Sequence, residues 1–187
     1  MRINYKQWYN RGKIRKGGYM LHIYSGNGKG KTTAGMGLVL RQLGCEHKAL
    51  VAQFLKDGKS SEIQVLKQLP MVKVCATDMP KVFYFQMNEE QKIQTQNVIN
   101  DLFSWVKQYI ENCDCVLLDE ILDVLNLGLL EEDAVCDFLL RWKDKEIIMT
   151  GRNPSKRLLE LCDYHTEMVE KKHPYQKGIP ARLGVEY

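Results

Sequence analysis

At 187 residues the chain suits one domain and can bury a real core; 44% hydrophobic and 27% charged residues are ordinary for a globular protein. No apolar run approaches the roughly 20 residues that span a bilayer, and Met1 to Gly18 is polar and basic without an apolar h-region, so a cytoplasmic protein with no membrane partner is expected. The net charge of +4 sits in an arm: Arg2, Lys6, Arg11, Lys13, Arg15 and Lys16 fall within residues 1–18, which hold no acid, and the remainder carries 21 basic against 23 acidic residues, which argues against nucleic acid as a partner.

The arm, residues 1–18, admits two readings, a solvated tail or a segment drawn to anionic ligands. In the body, residues 19–187, Met20 to Tyr24 predicts a first strand, followed at once by a glycine-rich turn. Thr32 to Leu43 predicts a helix, stopped by Gly44. A second strand over Ala49 to Leu55, a short helix over Ser61 to Leu69 and a third strand over Met71 to Ala76 follow. Asn88 opens a long helix as N-cap, with Glu89 and Glu90 in the first turn and Gln91 placed for a capping box. Ile93, Val98, Ile99, Leu102, Phe103, Val106 and Ile110 give that helix its apolar face.

Cys115 to Leu118 is a fully apolar strand ending in Asp119-Glu120; Leu130 to Trp142 reads as a helix, and Glu146 to Thr150 as a fifth strand. Asn153-Pro154 is expected to cap a helix to Leu161, and Tyr164 to Val169 to form a sixth strand. Apolar strands separated by helices predict an α/β fold with a mostly parallel sheet of about six strands. The glycine-rich turn Gly26-Asn27-Gly28-Lys29-Gly30-Lys31-Thr32-Thr33 between the first strand and helix makes it a single doubly wound P-loop NTPase-type domain. The six cysteines, at 45, 75, 113, 115, 136 and 162, form no C-x-x-C pair. They are expected as reduced, mostly buried thiols, with Cys113 and Cys115 on the same face of a strand.

The strand, glycine turn and helix around Gly26-Asn27-Gly28-Lys29-Gly30-Lys31-Thr32-Thr33 carry the strongest chemistry. A triphosphate needs several backbone N–H groups, a closely approaching main chain and a helix N-terminus behind it. Lys31 is placed to set an ammonium on the phosphates and Thr32 to offer its hydroxyl to Mg²⁺. Ser25 stands where the common pattern has its first glycine, so the loop is a variant. Asp119-Glu120 at a strand end is either the carboxylate partner that such a loop uses for Mg²⁺ or an ordinary strand end. Thr150-Gly151-Arg152-Asn153 likewise offers either a phosphate-binding arginine or a surface arginine after a turn glycine.

Taken in order, these segments resemble one family. The G-N-G-K-G-K-T-T loop is followed by Val51-Ala52-Gln53-Phe54-Leu55-Lys56, Leu117-Leu118-Asp119-Glu120-Ile121 and Thr150-Gly151-Arg152-Asn153. Next come Thr166-Glu167-Met168, Lys172-His173-Pro174-Tyr175, Gly178-Ile179 and Gly184-Val185-Glu186-Tyr187. From about residue 21 onward the chain is similar to the P-loop ATP:corrinoid adenosyltransferases (cob(I)yrinic acid a,c-diamide adenosyltransferases). The resemblance implies attack of a Co(I) corrinoid on the ribose C5′ of ATP, a new cobalt–carbon bond and release of triphosphate, with ATP lying reversed in the loop.

Carried over by position, Gly26 to Thr33 hold the triphosphate and Lys31 balances its charge. Thr32, Glu120 and Asp119 serve Mg²⁺ or Mn²⁺, and Arg152 is a further phosphate contact. Lys31, Glu120 and Arg152 are then the catalytic set. Aromatic side chains after the third strand crowd out the lower axial ligand of cobalt in this family; by location Phe83 and Tyr84, with Phe85, are candidates, though an aromatic cluster also serves core packing. The resemblance further implies a flavoprotein reductant such as flavodoxin, a homodimer, and an arm that covers a partner subunit's site. His173 either shapes the site or is a hydrogen-bonded structural histidine. The competing readings are a conventional P-loop ATPase or kinase and a non-catalytic nucleotide- or corrinoid-binding regulator.

Overall fold

The computed structural model describes residues 20–56, 58–77 and 84–185. The arm, residues 1–18, and Phe83 lie outside them. Six strands form one sheet: β1 (Leu21–Ser25), β2 (Ala49–Gln53), β3 (Val72–Ala76), β4 (Cys115–Asp119), β5 (Glu146–Thr150) and β6 (Tyr164–Glu167). Its order is β3-β2-β4-β5-β1-β6, and every pairing is parallel. Six helices connect them: α1 (Lys31–Gly44), α2 (Ser61–Leu66), α3 (Glu89–Tyr109), α4 (Ile121–Asn126), α5 (Glu132–Arg141) and α6 (Lys156–Leu161).

From β1 through β2 to β3 the chain walks towards one edge of the sheet, and from β3 onward it walks back. Crossovers of one hand then place the helices of the two walks on opposite faces. Met36 and Val39 of α1 and Ile63 and Leu66 of α2 pack on Val51, Leu117 and Ile148. On the other face, residues of α3 to α6 pack on Leu50, Ala52, Val116, Leu118, Ile147 and Met149. The parity of each strand thus splits its apolar residues between two cores. β6 is the exception: it lies at the sheet edge beside β1 with all four residues exposed. No helix among the described residues is long and apolar enough to cross a membrane.

Several local expectations needed a partner to be resolved. The Asn88–Gln91 capping box is present in both directions, but Ile93 is 62% exposed and Thr95 takes the inward place, its hydroxyl donating to Met87 Sδ at 3.4 Å. Cys113 does not share a face with Cys115. It precedes β4 and packs among the α3-side residues, whereas Cys115 packs with α1 and α2. Among the described residues no cysteine is disulfide-bonded.

Ser155, rather than Asn153, caps α6, accepting from Leu158 N, and Asn153 takes a left-handed φ of 44° in the turn before it. β2 ends at Gln53, two residues earlier than expected. Leu55 there has φ 49°, and the chain turns to deliver Lys56 over the end of the sheet.

Candidate active site

The carboxyl ends of β1, β2, β4 and β5 open on one side of the sheet. β1 and β2 lead to helices on one face, β4 and β5 to helices on the other, so a crevice opens between them. Ser25 closes β1 and is buried; its hydroxyl is 2.7 Å from His165 Nε2 on β6. The variant residue therefore ties the start of the loop to the neighbouring strand. Gly26 follows at φ 107°, and a Cβ there would lie 2.3 Å from Met168 O. Only glycine allows this approach. The loop is fastened along the same edge: Met168 N donates to Ser25 O at 2.8 Å, and Gly28 N to Met168 O at 2.7 Å.

Asn27 and Lys29 face outward to this support. Asn27 Oδ1 accepts from Glu170 N at 3.1 Å, and Lys29 Nζ donates to Val185 O. Gly30 forms the N-cap of α1 with φ 106° and provides no side-chain cap. The first N–H groups of α1 are thereby left to an anion at the helix N-terminus. Lys31 begins that helix with Nζ 3.0 Å from Gly28 O; Thr33 is exposed. Burial, then the nearby Arg152 guanidinium, holds the Lys31 ammonium below the usual lysine range, with Asp123 and Glu120 opposing them.

Beneath the loop lies a saturated carboxylate. Asp119 is fully buried; its Oδ1 accepts from Thr32 Oγ1 at 2.9 Å and Thr150 Oγ1 at 2.6 Å, and its Oδ2 from Gln53 Nε2 and Lys56 Nζ, both at 3.0 Å. Lys56 Nζ also lies 2.7 Å from Thr32 Oγ1 and 3.1 Å from Glu120 Oε1. Glu120 has φ 64°, a left-handed conformation rare outside glycine, and its N–H donates to Thr150 Oγ1 at 2.8 Å. Burial raises the Glu120 carboxyl above the usual range, and Lys56 opposes that rise.

Arg152 is held by α4. Its N–H donates to the Asp123 carboxylate and its carbonyl accepts from Asn126 Nδ2 at 2.8 Å. Gly151 before it has φ 143°, and a Cβ would lie 2.6 Å from both Asp123 Oδ2 and Leu122 Cβ. Gly151→Ala should therefore displace Arg152, weaken nucleotide binding several-fold and cost about 1–3 kcal/mol of stability. Calorimetric nucleotide titration together with thermal unfolding checks this; a variant matching wild type in both would contradict it.

The predicted residues thus separate into two groups. Lys31, Thr32, Asp119, Glu120 and Arg152 converge in the crevice, whereas the side chains of Asn27 and Lys29 are spent on the 168–185 segment. Tyr84 is half-buried against the α3-side core. His173 opens the 3-10 turn Pro174–Lys177, accepting from Tyr175 N at 3.2 Å, a structural role.

This arrangement agrees with sequence similarity to known proteins. The chain matches the family model of ATP:corrinoid adenosyltransferase BtuR/CobO/CobP over residues 17–187. The chain belongs to that family. Curated relatives include the corrinoid adenosyltransferase of Pseudomonas aeruginosa, 33% identical with 90% of this chain and 83% of that one covered. The Sinorhizobium corrinoid adenosyltransferase is 31% identical, with 90% and 80% covered. That of Escherichia coli K12 is 29% identical, with 88% and 84% covered.

As an ATP:corrinoid adenosyltransferase the protein is an enzyme, a transferase that binds ATP and passes its adenosyl group to a corrinoid. Three side chains that meet in this crevice carry no sequence signal of their own: Gln53, Lys56 and Asp123. Gln53 and Lys56 stand in the segment Val51 to Lys56. Their function follows only from β2 being the sheet neighbour of β4.

Proposed function

We propose that the reaction is a direct displacement in which the electron pair of a Co(I) corrinoid attacks C5′ of ATP. The cobalt–carbon bond forms as the C5′–O bond breaks, and triphosphate leaves with that bonding pair. The observation that carries this reading is the state of the carboxylates. Asp119 accepts four hydrogen bonds, Glu120 is paired with Lys56, and Asp123 receives the Arg152 N–H. Each is committed to orienting other groups. A nucleophile that brings its own electron pair needs no general base, whereas a polyanionic leaving group needs fixed positive charge. Lys31, Arg152 and the first N–H groups of α1 supply it.

Mg²⁺ or Mn²⁺ fits the oxygens of Thr32, Asp119 and Glu120. That set already surrounds one cation, the Lys56 ammonium, at 2.7 to 3.1 Å. Its donors are hard oxygens, and Mg²⁺ is commonly held by one or two carboxylates together with substrate phosphates. Among the described residues no group of three or more His, Cys, Asp and Glu could hold a metal ion; at two carboxylates and a hydroxyl, water and the substrate phosphates would complete the coordination. Bound there, the cation would neutralise charge on the departing triphosphate.

The corrinoid is assigned to the segment after β3, where Phe85 is 78% exposed and Tyr84 adjoins it. Phe83 and Tyr84 are proposed to crowd out the lower axial ligand. A reduced flavoprotein such as flavodoxin supplies the electron that makes Co(I), and the working unit is a homodimer whose arm, residues 1–18, covers the partner's site. The reduced thiols suit the cytoplasm.

The test is incubation with ATP, Mg²⁺ and chemically reduced cobalamin. The expected products are a light-sensitive alkylcobalamin and triphosphate in equal amounts. ADP and phosphate would instead establish a phosphoryl-transfer enzyme. Nucleotide binding with neither product would establish a regulator.

A further inference from the structure

The position of Lys56 has a stronger implication than an ion pair. Its ammonium lies 2.7 Å from Thr32 Oγ1, 3.0 Å from Asp119 Oδ2 and 3.1 Å from Glu120 Oε1. Those are the three side chains assigned above to the divalent cation. Lys56 is also aimed there by its surroundings. Phe54 anchors the preceding chain in the core at 0% exposure, Leu55 turns it through a left-handed φ of 49°, and Thr77 Oγ1 donates to Lys56 O at 3.0 Å. A left-handed leucine is unfavourable by itself and persists only where its surroundings over-determine it. A solvated surface lysine would need no such arrangement.

We propose that Lys56 is a built-in counter-cation that holds the Thr32, Asp119 and Glu120 oxygens ready for the divalent cation and leaves them when the metal–nucleotide complex binds. The proposal rests on the metal assignment made above. A divalent cation and the ammonium repel each other when both contact the same three oxygens, and a partly buried crevice screens that repulsion less than water does, so the metal displaces the lysine. Without Lys56, the buried Asp119 and the partly exposed Glu120 would face each other as like charges; with it, each has a partner.

The lysine stem is long and flexible, and its side chain remains 29% exposed on the crevice side. Once displaced, its charge stays in the cleft that Lys31 and Arg152 already make positive, where it adds to the charge available for the leaving triphosphate. Metal alone offers the ammonium no new partner, whereas metal carried by a triphosphate does. The lysine thereby selects the metal–nucleotide complex over the free metal.

The experiment is a manganese titration followed by electron paramagnetic resonance on the full chain, without nucleotide. Lys56→Met should bind free Mn²⁺ at least about tenfold more tightly than wild type, since a repelling unit charge is gone. A lysine with a merely structural role would move the affinity the other way, because its loss would disorder the ligands. Equal or weaker Mn²⁺ binding by a folded Lys56→Met protein overturns the proposal.

Should that variant not fold, Lys56→Gln retains a hydrogen-bond donor while removing the charge, and must show the same tightening. Its thermal midpoint should also rise with Mn²⁺ by more than wild type's does, and an identical response in the two proteins is contrary to the proposal. Adding Glu120→Gln separates the two levels of inference. Persistence of the gained Mn²⁺ affinity in the double variant would remove the metal assignment itself. Absence of any gain, while wild-type Mn²⁺–ATP binding still responds to Glu120→Gln, would remove only the role of Lys56.

Discussion

Lys31→Ala should lower adenosylation kcat/KM by about 100-fold or more, on the scale seen when one pre-organised charge or donor is taken from a developing anion. The side chain is the only charged group of the first helical turn of α1, and its single described hydrogen bond, to Gly28 O, contributes little to the fold. ATP affinity measured by calorimetry should fall with the rate, while the thermal midpoint should hardly move. Lys31→Arg should rescue poorly, because a planar fork cannot take the place of a compact ammonium within the loop.

The pH dependence follows from the same surroundings. In the free enzyme, burial and Arg152 hold the Lys31 ammonium below the ordinary lysine value. A bound polyanion favours the protonated form, so at alkaline pH nucleotide binding should take up a proton. Affinity should then fall as pH rises through the lowered value. Near wild-type ATP binding and turnover in Lys31→Ala would refute this assignment.

Asp119→Ala should show the largest loss of stability of any site substitution, about 3–5 kcal/mol, because it strands a buried set of partners. Thr32, Thr150, Gln53 and Lys56 all donate to this carboxylate, which has no exposed surface. For a chain of this length the loss corresponds to a fall of roughly 10 °C in thermal midpoint. Asp119→Asn conserves shape but turns an NH₂ group towards two of the four donors, so it should recover only part of the loss. Glu120→Ala is the informative contrast. Glu120 is partly exposed and has fewer partners, so its loss should lower turnover with a much smaller shift in midpoint. Equal midpoints for wild type and Asp119→Ala would show that the network contributes nothing to the fold.

The parts of the site legible from sequence were those whose chemistry is local. A strand, a glycine loop and a helix occur within 24 residues (21–44), and an apolar strand ends in its acid pair; both were read from adjacent positions. What was not legible arises between segments distant in the chain. Lys56 acquires its role only because β2 lies beside β4, and Ser25 is explained by His165, which is 140 residues away.

The helix α4 was missed because Ile121 to Asn126 is six residues long and follows Glu120 without a side-chain cap. With it went Asp123 and Asn126, which hold Arg152. Ile93 shows the opposite error, where helical spacing alone pointed an isoleucine inward and the packing of the first turns of α3 chose Thr95. Periodicity identifies a face, but the neighbouring element decides where that face begins.

The outer support of the phosphate loop comes from the outermost strand. Met168 grips Ser25 and Gly28 through its main chain, and it directly follows β6, whose four residues are exposed and which pairs only with β1. Edge strands open at lower free energy than the centre of a sheet. Fraying of β6 would release the hydrogen bonds at Met168 and at Ser25 together, so the loop can be no more persistently ordered than the strand beside it. Nucleotide that orders the loop must, by reciprocity, hold β6 closed. Slowed amide exchange would then reach Tyr164 to Met168, residues with no part in the chemistry.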